Sequence, residues 1–187
     1  MLARSLPVAS FALSTFSPLA WTCFPFVAFG VKAEPEVWWE IMDFALAHQQ
    51  AEGPEVKRND PGYVSGGYAP PVDHARGFMY IKGSPEGSEG KATGSMTACG
   101  LGTILIAKEV LCESEKGRKK YLEKKLDKVV ETATYDALAW LDLHWSPFTN
   151  PESQYGYPIY YLYSLERAMD ILGKNLVGKH LWYTEGA

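Results

Sequence analysis

The side chains best suited to proton transfer in this sequence are its four histidines, His48, His74, His144 and His180. Asp73 directly precedes His74, and a carboxylate beside an imidazole is a pairing that general acid–base catalysis uses. Adjacent residues rarely point at one another, however, so a structural interpretation of this pair competes with the catalytic one. His48 and His144 fall near the ends of predicted helices, where an imidazole caps last-turn carbonyls.

The three cysteines, Cys23, Cys99 and Cys112, show no spacing typical of metal binding or redox chemistry. Without a Cys-x-x-Cys pair, neither a zinc ribbon nor a thioredoxin-type motif is supported. Cys99 lies in an apolar run, which favours a small core residue over a nucleophile. Cys99 and Cys112 fall on one predicted helix and are not expected to form a disulfide. The residues therefore predict no metal and no cofactor.

Composition predicts one domain with a sizeable core. The chain has 187 residues, 47% of them hydrophobic, with six Trp and eleven Tyr, which excludes disorder. The net charge is −4 and the only basic block is KGRKK at 116–120. Nucleic acid is therefore not a predicted partner. A charge run of this kind is interpreted as a solvated turn.

Residues 1–33 differ from the rest of the chain, because they are apolar and no acidic residue appears before Glu34. They end in Val-Lys-Ala, with compact residues spaced as a secretory cleavage site requires. We predict an export signal cut after Ala33, which places the protein in the periplasm or at the cell surface. A membrane anchor over residues 5–31 is the rival interpretation, weakened by two internal prolines. A third is that the segment is a fragment of an upstream helix or a misassigned start.

Four helices are predicted, over residues 34–50, 97–111, 122–145 and 158–173. The second is apolar nearly all round, so it is expected to be buried on all sides, whereas the third is amphipathic. The predicted buried faces of the first and fourth helices are Val37, Ile41, Phe44/Ala45 and His48, and Ile159, Leu162, Leu165, Met169 and Leu172. The order is half-exposed, buried, half-exposed, buried, which predicts a two-layer array of helical hairpins.

A long loop over residues 51–96 separates the first two helices. It holds nine of the 17 glycines and five of the 12 prolines. Loops of this length are uncommon in compact domains unless they are functional or disordered. Residues 83–94 are predicted to be flexible. Residues 61–81 are richer in aromatics and are predicted to be ordered against the helices, as a short hairpin.

Three stretches carry a resemblance to a known family. They are ATGSMTACGLGTILIAKEVL (92–111), LAWLDLHWSPFTNP (138–151) and YYLYSLERAMDILGKNLVGKHLWYTEGA (160–187). In this order and spacing they resemble prenyltransferase/squalene-oxidase repeat proteins, relatives of squalene–hopene cyclases that are common in planctomycete-like bacteria. The resemblance covers residues 92–187, extends more weakly over 34–80, and leaves out 1–33.

The resemblance implies an all-α fold, an α/α toroid whose inner ring lines a deep apolar cavity. Residues 34–187 would form part of such a toroid, with two helical hairpins in inner and outer layers. In the family the Trp-Tyr-x-Glu-Gly-Ala turn leads into another outer helix, so the chain looks truncated. His180 lies in that turn, where the resemblance implies a hydrogen bond to the backbone. An open arc leaves apolar faces that need covering, for which a homo-oligomer is one solution.

The catalytic motifs of the family's relatives are missing. Squalene–hopene cyclases protonate an alkene with an Asp-x-Asp-Asp motif, and this sequence has neither Asp-Asp nor Asp-x-Asp. Protein prenyltransferases hold zinc with Asp, Cys and His. Asp136, Cys99 and His144 are the right residue types, but no spacing marks them as that site. The Cys-Gly-Glu-Gln motif of thioester proteins is also absent. We therefore predict no catalytic residue and no metal ligand.

The aromatic residues give the predicted ligand site. The resemblance places Tyr160, Tyr161 and Tyr163 on one inner helix, and Tyr80 close in sequence to the other inner helix. In cyclases, aromatic walls stabilise carbocations through their electron-rich faces. The competing interpretation is core packing with satisfied hydroxyls.

The leading hypothesis is a non-catalytic, exported, squalene-cyclase-like helical-repeat protein. It would bind an apolar ligand, a peptide or a protein partner. One alternative is a fragment of an isoprenoid cyclase or prenyltransferase. Another is a structural module that completes its ring by oligomerisation.

Overall fold

The described part of the chain is built from six helices and two short strands. The computed structural model describes residues 34–58, 72–81, 91–154 and 156–186. Its elements are α1 (Pro35–Ala47), β1 (Glu55–Lys57), β2 (Val72–His74), α2 (Gly94–Glu113), α3 (Glu115–Glu123), α4 (Leu126–Leu143), α5 (Pro158–Leu172) and α6 (Trp182–Gly186). The predicted export signal at 1–33 and most of the predicted flexible segment lie outside the described residues.

Helix α2 is the centre of the fold, and α1, α3, α4 and α5 each pack against it. Thr93 begins this helix, because its hydroxyl accepts a hydrogen bond from the Met96 N–H at 3.3 Å, as expected of an N-cap. The helix is long and apolar enough to cross a membrane, but 72% of its apolar window is buried inside the protein. The mostly helical structure and the buried second helix confirm the all-α prediction at this level.

The predicted single helix at 122–145 is wrong, and so is the predicted solvated turn at 116–120. The KGRKK block is the body of α3, which Ser114 caps by accepting a hydrogen bond from the Gly117 N–H at 3.0 Å. The chain then breaks at Lys125, whose φ of 56° is left-handed. The buried Tyr121 hydroxyl donates to the Leu126 carbonyl at 3.0 Å across the break. The local cap and this tyrosine anchor produce two helices where periodicity suggests one.

The buried face of α1 is rotated from the predicted one. Val37 is 39% exposed, and the buried residues are Trp38, Trp39, Met42 and Ala45. Neighbouring helical positions differ by about 100°. Turning the helix by this amount buries two indole rings, which remove far more apolar surface from water than one valine does.

Helix α5 is half-exposed, so the predicted alternation of half-exposed and buried helices fails at the fourth helix. Ile159 was placed on its core face and is 82% exposed. Leu165 and Met169 are fully buried as predicted. The whole buried set is Tyr161, Ser164, Leu165, Ala168 and Met169. The helix uses a stripe that begins two positions later than the sequence suggests, because this stripe meets α2.

Part of the long loop is ordered against the helices, as predicted for residues 61–81. Strand β2 pairs antiparallel with β1, and Val56 lies opposite Asp73. Residues 61–71 of the predicted hairpin lie outside the described residues; its described part holds one strand, β2, whose partner β1 lies upstream. After β2, Ala75 and Phe78 are buried in the core, and the Met79 N–H donates to the His48 carbonyl at 2.9 Å. These contacts hold the segment that follows β2, residues 75–79, between α1 and α2.

A buried carboxylate, Asp136 of α4, holds the same segment from the other side. Its side chain is 2% exposed. It accepts hydrogen bonds from the His74 N–H at 2.8 Å and from the Arg76 Nε at 2.7 Å. Gln49 adds two bonds through its amide nitrogen, to the Arg76 carbonyl at 3.1 Å and the Ala133 carbonyl at 2.9 Å. Polar groups removed from water in this way are costly unless paired, so the pairings fix the segment's position.

Candidate functional site

Three of the four tyrosines of the predicted ligand site are exposed and one is buried. Tyr160 and Tyr80 lie near each other and are 48% and 37% exposed, respectively. Tyr163 is 51% exposed, with the Arg167 guanidinium 5.5 Å from its ring centre, and lies three positions after Tyr160, on the same side of the helix. Tyr161 is fully buried in the core, because consecutive helical positions diverge by about 100°.

A small polar cluster lies where α2 meets α5, beside Tyr160. The buried Cys99 thiol donates to the Ser164 hydroxyl at 3.3 Å and lies 3.4 Å from the Tyr160 hydroxyl. Ser164 in turn donates to the Tyr160 carbonyl at 2.8 Å. Cys99 is a core residue, as predicted, but sequence reasoning missed its two hydroxyl partners. No local signal marks a contact between residues more than 60 positions apart.

The Tyr160 hydroxyl is suited to hydrogen bonding and unsuited to acid–base chemistry. Burial raises the pKa of Tyr160 above its ordinary value, and the neighbouring Cys99 and Tyr80 raise it further. The hydroxyl therefore stays protonated at neutral pH and is a weaker acid than an ordinary tyrosine. What this cluster offers a ligand is a set of donors and acceptors beside an exposed aromatic ring.

Large apolar side chains form an exposed surface at the start of α5. Ile159, Tyr160 and Tyr163 share one side of the helix at i, i+1 and i+4, and Tyr157 precedes them at 65% exposure. We call these four residues the α5 aromatic face. Single exposed apolar residues are ordinary, but a contiguous group is typical of an interaction surface. This face is the strongest candidate binding surface among the described residues.

Tyr161 has a buried hydroxyl without a hydrogen-bond partner among the described residues. Burial also raises its pKa above the ordinary value. Its ring edge lies against the start of α2, where a Cβ placed on Gly94 would come within 2.9 Å of the ring. An unpaired buried hydroxyl costs about 1–3 kcal/mol. Tyr161 is therefore better explained by ring packing than by its hydroxyl.

We expect Tyr161→Phe to leave the free energy of unfolding unchanged or to raise it by about 1 kcal/mol, because the substitution removes only an unpaired hydroxyl. The matched control is Tyr121→Phe, which loses the bond to the Leu126 carbonyl. That variant should lose about 1 kcal/mol. Urea denaturation followed by circular dichroism measures both. Equal losses in the two variants would show that the Tyr161 hydroxyl has a partner in solution.

The candidate acid–base pair of Asp73 and His74, which competed with a structural interpretation, does not form. The two residues alternate across β2, with Asp73 buried and His74 exposed. Both Asp73 carboxylate oxygens accept hydrogen bonds from Arg58, at 2.7 and 2.9 Å. The same guanidinium stacks 3.3 Å from the Tyr135 ring centre. Strand geometry thus commits the carboxylate to an ion pair, because successive strand side chains point to opposite faces.

The histidines at helix ends have different roles. His48 caps α1 as predicted, since its Nδ1 lies 2.8 Å from the Phe44 carbonyl oxygen. The same prediction for His144 is wrong, because its ring stacks on Trp140 and its Nδ1 lies 3.7 Å from a Glu152 oxygen. The imidazole contacts the Trp140 ring, one turn away, and the facing Glu152 carboxylate instead of the helix carbonyls.

His180 lies in a cluster of side chains that docks α6. Its ring stacks on Trp145, with ring centres 4.9 Å apart, and its Nδ1 lies 3.1 Å from Glu185 Oε2. The expected side-chain bond to the backbone is therefore replaced by a bond to a carboxylate. Glu185 also accepts hydrogen bonds from Trp145 Nε1 and the Leu181 N–H, both at 2.9 Å. Partial desolvation acts to raise the pKa of Glu185, but these bonds hold it below its ordinary value.

The three residues of zinc-ligand type lie apart. Asp136 is paired with Arg76, Cys99 is at the α2–α5 contact, and His144 faces Glu152. Within the described ranges, no group of three or more His, Cys, Asp and Glu side chains is arranged to hold a metal ion.

A concave surface lies between α6 and the end of α5, apart from the α5 aromatic face. This cleft has a volume of about 400 Å³ and is lined by Asp170, Asn175, Leu181, Trp182, Tyr183 and Thr184. Asp170 is the one acidic or basic side chain in this lining. The cleft thus offers an apolar wall and few reactive groups.

No protein-family model, curated protein or solved structure compared with the chain matches it.

Proposed function

We propose that this chain is a non-catalytic, squalene-cyclase-like helical-repeat protein that binds an apolar ligand on the α5 aromatic face. In this proposal residues 34–187 form part of an α/α toroid, with α5 on its inner side. The observation that carries the proposal is the exposure of Ile159, Tyr160 and Tyr163 together at the start of one helix. The opposite side of that helix is buried against α2.

The chemistry of the face suits an extended hydrocarbon with a single polar end. The tyrosine rings and Ile159 supply apolar contact area, and burying each is worth about 1.5–3 kcal/mol. The Tyr160 hydroxyl, held near Cys99, supplies one hydrogen-bonding group at the edge of this surface. Binding sites for small molecules typically combine a mostly apolar lining with a few polar groups of this kind.

Three observations support binding without catalysis. Protonation of an alkene needs a strong acid, whereas the pKa of Tyr160 is raised above its ordinary value. The carboxylate of Glu166, three positions after Tyr163, is paired with Arg167 at 3.1 Å. The sequence also lacks the Asp-x-Asp-Asp acid.

The test is binding of farnesol to the full chain, followed through displacement of an anilinonaphthalene sulfonate dye. Ile159→Lys with Tyr163→Lys should weaken farnesol binding at least about ten-fold, because both apolar contacts are replaced by charges. Leu143→Lys is the control, since Leu143 of α4 is 51% exposed and lies outside the α5 aromatic face.

Three results would contradict the proposal. One is equal farnesol binding by the double variant and the original chain. Another is conversion of squalene or a polyprenyl substrate above a buffer control, which would make the protein an enzyme. The third is sedimentation as a dimer that the double variant abolishes, which would make the face a contact between two copies of the chain.

A further inference from the structure

Of the exposed cations in the described part of the chain, seven fall within the short stretch 115–128, which the proposed function does not use. Residues 115–128 contain seven basic side chains and three acidic ones, whereas the whole chain carries a net charge of −4. All seven are exposed. They are Lys116, Arg118, Lys119, Lys120, Lys124, Lys125 and Lys128. We call this set the α3 basic surface.

Most of these cations form no ion pair among the described residues. The exception is Lys119, whose Nζ lies 4.0 Å from a Glu123 oxygen at a well-exposed site. Such a pair contributes little to stability. Lys120 and Lys124 both lie over the Trp39 ring, with Nζ atoms 4.6 and 5.1 Å from its centre, so folding brings these two cations together. The chain breaks at Lys125, and Lys128 follows in the first turn of α4.

Two exposed aliphatic side chains lie within this surface. Leu122 is 53% exposed and Val129 is 45% exposed. On the helix, Leu122 follows Arg118 by one turn, so that a cation and an aliphatic side chain neighbour each other. Lysines around an exposed leucine are typical of segments that lie on a bilayer, where cations meet anionic headgroups and the aliphatic side chain enters the boundary with the acyl chains.

We propose that the α3 basic surface docks the protein onto a bilayer that contains anionic lipids. Charge complementarity supplies the attraction, and Leu122 and Val129 supply a shallow apolar contact. A single-stranded nucleic acid is a poorer fit, because it is bound with exposed aromatic rings, whereas Trp39 is only 8% exposed. An acidic protein is also a poorer fit, because six of the seven cations are lysines, which lack the two-pronged geometry of arginine.

The test is co-sedimentation of the full chain with vesicles of phosphatidylcholine, prepared with and without phosphatidylserine. Partition should be at least about ten-fold stronger with phosphatidylserine, and this gain should disappear between about 0.1 M and about 1 M salt. Residues 1–33 are the same in every sample, so the readout is the difference between the two lipids.

Charge reversal locates the contact. Lys116→Glu, Lys119→Glu and Lys128→Glu together should remove the phosphatidylserine-dependent gain. The control reverses Lys57, Lys91 and Lys179, which are also exposed and change the net charge equally; the gain should change by less than about two-fold. Leu122→Gln should lower the partition several-fold and leave its salt dependence unchanged.

Equal partition onto the two kinds of vesicle would overturn the proposal. Equal losses in the two charge-reversed variants would also overturn it, since the attraction would then be a property of net charge alone. If the chain bound duplex DNA tightly and bound neither kind of vesicle, the surface would be assigned to nucleic acid instead. The lipid comparison and the salt dependence use the original chain, so they decide the matter even if a variant fails to fold.

Discussion

Asp136→Ala is expected to lower the free energy of unfolding by about 3–5 kcal/mol. The carboxylate is 2% exposed and accepts from the His74 N–H and the Arg76 Nε. Its removal leaves a partly buried guanidinium without its counter-charge and a backbone N–H without its acceptor. A loss of this size is a large fraction of the stability of a typical domain. Urea denaturation of the full chain, followed by circular dichroism, measures it.

Two controls separate the ion pair from a general effect of removing negative charge. Glu131→Gln neutralises an exposed acid on the same helix and should change stability by less than about 0.5 kcal/mol. Asp136→Leu combined with Arg76→Met should recover much of the loss, because two apolar groups leave no charge unpaired. If Asp136→Ala costs no more than Glu131→Gln, the buried pair does not hold β2 and the following segment on α4.

Gly100→Ala is expected to lower the free energy of unfolding by about 2–3 kcal/mol, although alanine is the better helix former. A Cβ at this position of α2 would overlap the ring of Phe78, which is fully buried. Alanine gains about 1 kcal/mol in helix propensity. Separating α2 from the packed segment costs more than this gain, because interiors leave little room for an added methyl group.

A double-mutant cycle with Phe78→Ala identifies the clash, because this change removes the Cγ and the ring atoms that lie nearest to the added methyl group. The truncation creates a cavity and costs about 3–5 kcal/mol on its own. Combined with Gly100→Ala, it should cost less than the sum of the two single changes, by at least about 0.5 kcal/mol. Strict additivity in the same denaturation assay would show that the Phe78 ring moves away freely. The close contact of this segment with α2 would then contribute nothing to the free energy of unfolding.

Both predictions concern a segment that the sequence marks only as part of a long loop. The aromatic content indicates that residues 61–81 are ordered, and the buried Phe78 confirms order in the described part, residues 72–81. The aromatic content does not indicate that Asp136 holds this segment, because the partners are 60 or more positions apart. A turn or a cap has a local signature, whereas a pair of this kind has none.

The candidate site also divides into features that the sequence predicted and features that only the tertiary structure decided. The sequence identified three tyrosines within four positions, and helix geometry alone requires that Tyr161 points away from the side shared by Tyr160 and Tyr163. It did not determine which of them faces the core. Tyr161 is buried because its side of α5 meets α2, and this contact leaves Tyr160 and Tyr163 exposed with Ile159.

By itself, the sequence determined that the described chain is mostly helical, that α2 is its buried centre and that the segment after β2 packs on the helices. Those features follow from local signals, which are apolar periodicity, caps and aromatic content. Only the tertiary structure decided which faces of α1 and α5 are buried and which carboxylates are paired. Faces one residue apart differ little in apolar content, so the choice between them depends on the neighbouring element, whose position no local pattern specifies.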